Sequence, residues 1–155
     1  GDVVVIAHNQ DLIGIYRFWA AILVGAIPSF FPPLTEKLDP DVYQRNMSTL
    51  VDRSGVKLLL TSDQHVSLLA ATVSCPVMGD SRVAEMGVRA SVANPEPTAV
   101  AFLQHSSGTT GLQKGVALTH EAALNQIANY SGAIQLNEAD IVVSWLPLYH
   151  DMGLI

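Results

Sequence analysis

Short apolar runs alternate with helical patterns along the first 80 residues, and this alternation restricts the folds open to the chain. Val3–Ala7 is a β-branched run typical of a buried strand. Asp11 can then cap a helix in which apolar side chains recur at helical spacing until Gly25. Because strand–helix alternation is typical of parallel sheets, we predict an α/β fold with a mostly parallel sheet and flanking helices.

The following segments continue this pattern. Asp39 and Pro40 suit the N-cap and the first position of a helix that Gly55 would end. The predicted elements are a strand at residues 27–31, a helix from 40 to about 53, a strand at 56–60, a helix at 63–72 and a short strand at 77–78.

Beyond a proline-containing loop at residues 91–97, the pattern indicates a hairpin. Strands are predicted at residues 99–104 and 116–118, and glycine and hydroxyl residues fill the gap between them. Thr119 can cap the next helix. The remaining predictions are a buried stripe on that helix, formed by Leu124, Ile127 and Ala128, and a last strand at 141–145.

Both ends of the sequence look cut, since it begins in a strand-forming run and stops as an apolar segment starts. We interpret residues 1–155 as a single partial domain, an internal piece of a larger domain, with a loop or subdomain boundary near 91–97.

Composition excludes several classes of protein. The chain is 49% hydrophobic and 14% charged, as globular proteins are, and its net charge of −6 with no basic stripe argues against a nucleic-acid partner. The lone Cys75 excludes an intrachain disulfide and a cysteine-rich metal site. The uncharged residues 18–35 contain Gly25 and three prolines, so we predict no transmembrane segment. With no signal-peptide pattern at the start, we expect a cytoplasmic protein.

The segment from Ser106 to Gly115 places four hydroxyls, three glycines and one lysine in ten residues. Glycines let successive backbone N–H groups face inward and bind an anion, while hydroxyls and lysine suit phosphate oxygens. A flexible hairpin loop is the alternative. A Walker A loop fails on spacing, because Gln113 precedes Lys114 and Gly115 follows it. No G-x-G-x-x-G sequence opens a helix, so a Rossmann fingerprint fails as well.

This segment resembles the phosphate-binding signature of the adenylate-forming superfamily, which includes acyl-CoA synthetases, fatty acyl-AMP ligases, nonribosomal peptide adenylation domains and luciferases. That signature runs Thr-Ser-Gly-Ser/Thr-Thr-Gly, any residue, Pro-Lys-Gly. Ser106 replaces the usual threonine and Gln113 the usual proline. The matching residues are Ser107, Gly108, Thr109, Thr110, Gly111, Lys114 and Gly115.

A second segment, from Ser144 to Leu154, resembles the next motif of the superfamily, which is centred on an aromatic residue followed by histidine. Its ending, from Tyr149-His150 to Leu154, is most similar to fatty acyl-AMP ligases and related long-chain enzymes. The start of the chain resembles the beginning of the same large N-terminal domain more loosely.

The resemblance implies ATP-dependent activation of a carboxylic acid to an acyl-adenylate with release of pyrophosphate, and it favours a fatty acid as that substrate. A CoA or carrier-protein thiol would then accept the acyl group. Residues 106–111 and Lys114 would bind the ATP phosphates through hydroxyls, backbone N–H groups and charge, and His150 would lie near the acyl carboxylate and the adenylate. Trp145 and Tyr149 are predicted to be packing residues.

The superfamily also implies Mg²⁺, but its acidic ligand, the ribose-binding aspartate and the catalytic lysine would lie outside this chain. We therefore expect the isolated 155 residues to be inactive. The alternatives are an aryl- or amino-acid-adenylating enzyme and a degenerate, non-catalytic nucleotide-binding module. His8, His65, His105 and His120 lack metal-ligand spacing, and ordinary surface or loop positions are predicted for them.

Overall fold

The computed structural model describes residues 1–87, 90–105 and 115–154. Its strands form an α/β arrangement with a parallel sheet, as predicted. The strands are β1 Val3–Ala7, β2 Ile27–Phe30, β3 Leu58–Thr61, β4 Val77–Met78, β5 Val100–His105 and β6 Gly115–Thr119. The helices are α1 Leu12–Leu23, α2 Pro40–Ser54, α3 Val66–Ala70, α4 Asp80–Met86, α5 His120–Ala133 and α6 Asp151–Leu154.

Four parallel strands form the main sheet in the order β2-β1-β3-β4. In the register, Val5 of β1 lies opposite Ser29 of β2 and Leu59 of β3. β5 and β6 form a separate antiparallel pair, which confirms the predicted hairpin. All four main strands therefore end at the same edge of the sheet, where open α/β sheets commonly bind ligands.

The predicted helix ends are confirmed by their caps. The Asp11 carboxylate accepts a hydrogen bond from the Gly14 N–H at 2.9 Å, and Asp39 accepts from the Val42 N–H at 3.0 Å. Gly55 ends α2 at a φ of 59°, a left-handed conformation that suits glycine. Thr119 accepts from the Ala122 N–H at 3.2 Å at the start of α5.

The core has two halves because alternate residues of β1 face opposite sides of the sheet. Val5 and Ala7 pack with Met47 and Val51 of α2, and burial at the rim of this half raises the pKa of the Cys75 thiol. The opposite half contains Val4, Ile6, Phe18, Phe30, Leu60, Ala101 and Phe102. α1 and β5 thus cover one face of the sheet, while α2 and α3 cover the other.

The predicted strand at residues 141–145 is wrong. Val143 and Trp145 are 90% and 88% exposed, and residues 141–145 have no strand partner among the described residues. The β-branched sequence satisfies the local preference of a strand, but a strand also needs a neighbouring backbone to pair with.

The predicted buried stripe of α5 is wrong as well. Leu124 and Ile127 are 66% and 54% exposed, and Ala128 is also exposed. Leu124 and Ile127 face α1 across a cavity of about 300 Å³, which Trp19 also lines. Their helical spacing is real, but the described residues supply no layer that covers them.

Smaller differences concern element bounds. The third strand begins at Leu58 instead of residue 56, and the helix expected at 63–72 is a 3-10 turn followed by the short α3. The helix α4 was not predicted. No helix among the described residues is both long enough and apolar enough to cross a membrane.

A buried ionic network ties α1 to the carboxyl edge of the sheet. The Arg17 guanidinium, 6% exposed, donates to Asp80 of α4 at 2.5 Å and to the Thr61 carbonyl at 3.2 Å. His8, just after β1, places Nε2 3.2 Å from the same carboxylate. Burial lowers the pKa of Arg17, and the charge of Asp80 opposes this shift. Arg17 therefore needs Asp80 as a partner.

We predict that Arg17→Met destabilises the full-length protein by about 2–4 kcal/mol, because it removes the buried cation that pairs with Asp80 and the guanidinium donor to the Thr61 carbonyl. The matched control is Arg82→Met, since Arg82 pairs with Glu85 at 3.5 Å where both side chains are about two-thirds exposed. This control should cost less than about 0.5 kcal/mol. Urea denaturation measures both, and equal losses would contradict the importance of the network.

Candidate functional site

The hairpin of β5 and β6 frames the glycine-rich loop. His105, the last residue of β5, lies opposite Gly115, the first residue of β6. The predicted phosphate-binding residues Ser106, Ser107, Gly108, Thr109, Thr110, Gly111 and Lys114 all lie outside the described residues. Their roles stay predictions, whereas both ends of the loop are placed.

His105 is buried at the loop entrance, with 7% of its surface exposed. Its Nδ1 lies 2.7 Å from the hydroxyl of Ser29, which is fully buried in β2. Burial lowers the pKa of His105, so the ring is neutral at pH 7. Its Nε2 is buried and has no hydrogen-bond partner within the described part of the chain.

Gln104 connects the hairpin to the second motif. Its side-chain Nε2 donates a hydrogen bond to the Tyr149 carbonyl at 2.9 Å, across 45 residues of sequence. The amide is buried, and its Oε1 has no hydrogen-bond partner among the residues described. This bond therefore holds the end of β5, which leads into the glycine-rich loop, next to the second motif.

His150 is exposed, and its local geometry is defined. Its backbone N–H donates to the Pro147 carbonyl at 2.9 Å, which closes a turn just before α6. Its Nδ1 accepts from the Met152 N–H at 3.3 Å. This bond helps to fix the orientation of the ring at the start of α6.

A cavity of about 410 Å³ lies at the carboxyl ends of β1 and β2. Gln10 borders it and donates an exposed hydrogen bond to the Leu146 carbonyl at 2.9 Å, on the other side of the second motif. The remaining lining residues are His8, Asn9, Phe30, Pro32, Pro33, Thr35, Leu38, Pro147, Leu148 and Tyr149. The second motif thus forms a wall of a cleft at the edge where such sheets bind ligands.

The predicted surface or loop position is wrong for His105, which is 7% exposed at the end of β5. His8 does lie in the loop after β1, although it is only 6% exposed, and His65 and His120 are half-buried. Among the described residues, no group of three or more histidine, cysteine, aspartate and glutamate side chains is arranged to hold a metal ion.

Sequence reasoning also missed Gln104 and His105 as site residues. A signal was present, because both are polar residues at the end of an apolar strand that leads directly into a glycine-rich loop. A polar side chain in a buried strand needs a partner, and such a partner is often part of a site.

Comparison with known proteins identifies the family to which this chain belongs. The model of the AMP-binding enzyme family matches residues 1–155. The chain is 31% identical to the long-chain-fatty-acid–AMP ligase FadD32 of Mycobacterium marinum, covering 100% of this chain and 25% of that protein. It is 27% identical to 4-coumarate–CoA ligase 3 of Arabidopsis thaliana, covering 99% of this chain and 30% of that enzyme.

A solved structure gives the same picture. A fatty acyl-adenylate ligase, from work on the enzymes of E. coli and L. pneumophila, superposes with a TM-score of 0.87 at 26% identity. The match covers 99% of this chain and 29% of that one. The chain therefore spans about a quarter to three tenths of the length of these relatives.

We predict that Gln104→Leu loosens the second motif, because it removes the hydrogen bond to the Tyr149 carbonyl. Amide hydrogen exchange in residues 146–154 should become about tenfold faster, as expected for the loss of one buried hydrogen bond. Gln10→Leu is the matched control, since Gln10 is exposed and water replaces its bond to Leu146. Equal acceleration by both variants would show that Gln104 has no special role.

We also predict an acid sensitivity that originates at His105. The unfolded histidine takes up a proton near pH 6.5, but the buried ring resists protonation until a lower pH. The stability that neutral His105 contributes is therefore fully present above about pH 6.5, and it declines as the pH falls toward the lower pKa of the folded state. A Ser29→Ala/His105→Phe double variant should lose part of this decline in melting temperature between pH 7 and pH 5. His65, whose pKa burial also lowers, is common to both proteins, so the difference reports His105.

Proposed function

This chain belongs to the AMP-binding enzyme family, and we propose that the full-length protein activates a fatty acid as its acyl-adenylate. The observation that carries the proposal is the Gln104–Tyr149 hydrogen bond. It joins β5, the strand that leads into the glycine-rich loop, to the motif that contains His150. An adenylating site needs these two parts together, since one would hold the ATP phosphates and the other would border the carboxylate.

The proposed reaction forms one bond and breaks another at a single phosphorus atom. A carboxylate oxygen attacks the α-phosphorus of ATP, and the bond from that phosphorus to the bridging oxygen of the β-phosphate breaks. Pyrophosphate leaves with the negative charge. Catalysis of this kind depends on positioning and on stabilising charge on the departing phosphates.

The 106–114 loop is proposed to supply that stabilisation. Thr109 and Thr110 would donate hydrogen bonds from their hydroxyls to the β- and γ-phosphate oxygens. Ser106, Ser107 and backbone N–H groups up to Gly111 would donate further hydrogen bonds there. Lys114 would add a positive charge at the far end of the loop. Hydroxyl and N–H donors together with a positive charge suit the oxygens of a polyphosphate.

His150 is proposed to border the carboxylate and the adenylate. The hydrogen bond from the Met152 N–H to Nδ1 holds the ring in a defined orientation. The proposed role is to shape the pocket around the reacting groups and not to transfer a proton. Mg²⁺ would neutralise phosphate charge when bound, and its acidic ligand is expected outside this chain.

Similarity favours a fatty acid as substrate. One relative acts on long-chain fatty acids, as its name states, and the Tyr149–Leu154 segment resembles that group. The 4-coumarate–CoA ligase keeps an aryl acid as the alternative. The acceptor is proposed to be the thiol of CoA or of a carrier-protein phosphopantetheine. The 155 residues alone should not form an adenylate, since the expected metal, ribose and lysine residues lie elsewhere.

We predict that the full-length protein releases pyrophosphate from ATP and Mg²⁺ in the presence of fatty acids, and more slowly with aryl or amino acids. Lys114→Ala should lower the rate roughly tenfold to a hundredfold, the value of a hydrogen bond between charged groups. Lys57→Ala is the matched control, because Lys57 is exposed just before β3, at the opposite edge of the sheet.

The outcomes separate the alternatives. Release with an aryl or amino acid alone would retain the reaction and replace the substrate. ATP binding without release for any acid would favour a degenerate nucleotide-binding module.

A further inference from the structure

We propose that His105 is a further nucleotide-binding residue, which donates a hydrogen bond from its Nε2–H to a phosphate oxygen of ATP or pyrophosphate. The inference rests on the proposed function, because it assigns a ligand contact to the site proposed there. It concerns a residue that the 106–114 loop motif does not include.

The proton of the His105 ring is placed by Ser29. The Ser29 hydroxyl is fully buried, and within the described part of the chain its hydrogen-bond partner is His105 Nδ1, at 2.7 Å. A buried hydroxyl donates its proton to an acceptor within reach, and here that acceptor is Nδ1. The neutral ring then carries its own proton on Nε2.

The resulting N–H group is a donor without an acceptor in the described residues. Nε2 is buried and has no hydrogen-bond partner there, although buried donors in native proteins are nearly always paired. The ring is more than nine-tenths buried, so water does not solvate it freely. An acceptor is therefore missing from the described part of the site.

Gly115 shows where that acceptor would lie. A Cβ atom added to Gly115 would lie 3.3 Å from His105 Nε2, which is closer than such atoms normally approach. Glycine thus keeps a side chain away from the Nε2 edge of the ring at the point where β6 begins. His105 and Gly115 are partners in the strand ladder, so this edge lies between the two ends of the loop.

The chemistry at this place favours a phosphate oxygen. A neutral N–H donor binds an anionic oxygen strongly in a buried setting, and unlike an arginine it needs no counter-charge of its own. Burial lowers the pKa of His105, so the donor stays neutral near pH 7. Its rigidity is an advantage, because the bond to Ser29 fixes the ring before the ligand arrives.

The first test measures the binding of pyrophosphate to the full-length protein by calorimetry, with Mg²⁺ present. The Ser29→Ala/His105→Phe double variant removes the donor and its buried partner together, so no polar atom of the pair is left unpaired. Its Kd for pyrophosphate should rise about tenfold to a hundredfold. Gly115→Ala should weaken binding in the same direction by crowding Nε2.

The control is Thr61→Val, which removes another fully buried side-chain hydrogen bond, from Thr61 Oγ1 to the Ala7 carbonyl at 2.9 Å. Its Kd for pyrophosphate should stay within twofold of the unmodified protein. A loss of binding as large as that of the double variant would assign the effect to general destabilisation and overturn the proposal.

A second measurement distinguishes a phosphate acceptor from an acceptor within the loop itself. Without ligand, hydrogen exchange in residues 106–114 should be the same in the double variant and the unmodified protein. In the pyrophosphate complex, exchange in these residues should be faster in the double variant than in the unmodified protein. Faster exchange in the ligand-free protein would identify a loop atom as the acceptor and overturn the proposal.

The failure of this inference is separable from that of the proposed function. If the unmodified protein forms an adenylate while the double variant binds pyrophosphate equally well, only the role of His105 is wrong. If the unmodified protein binds neither ATP nor pyrophosphate, the proposed function fails and the His105 contact fails with it.

Discussion

The backbone ladder around β1 is the constraint on which the rest of the structure depends. β1 pairs with β2 on one side and β3 on the other, and Val5 and Ile6 are completely buried. A strand enclosed in this way needs apolar side chains on both faces, and its sequence, Val-Val-Val-Ile-Ala, supplies them. Because β1 and β3 end at the same edge, His8 and Thr61 meet there, and Arg17 and Asp80 complete a polar cluster.

The sequence was sufficient to predict features that depend on neighbouring residues. Asp11, Asp39 and Thr119 cap helices because a short polar side chain just before a helix reaches its first free N–H groups. Gly55 ends a helix for an equally local reason, since its φ is positive. The alternation of strands and helices gave the α/β class on the same basis.

Features that depend on distant partners could not be predicted in this way. Residues 141–145 have the composition of a strand, but pairing is a property of two segments and the sequence of one does not reveal it. The spacing of Leu124 and Ile127 identified a helix face without showing what covers it. The role of His105 depends on its contact with the Ser29 hydroxyl, which lies 76 residues away in the sequence. The loop motif itself was recognisable by its residues, whereas its polar surroundings were not.

The exposed apolar segment at residues 141–145 has a consequence for how this chain behaves in solution. Ile141, Val143 and Trp145 are each at least 88% exposed. A run of exposed β-branched and aromatic side chains is the kind of segment through which chains pair as added strands. A chain of this extent would therefore be prone to self-association, which covering these few residues would prevent.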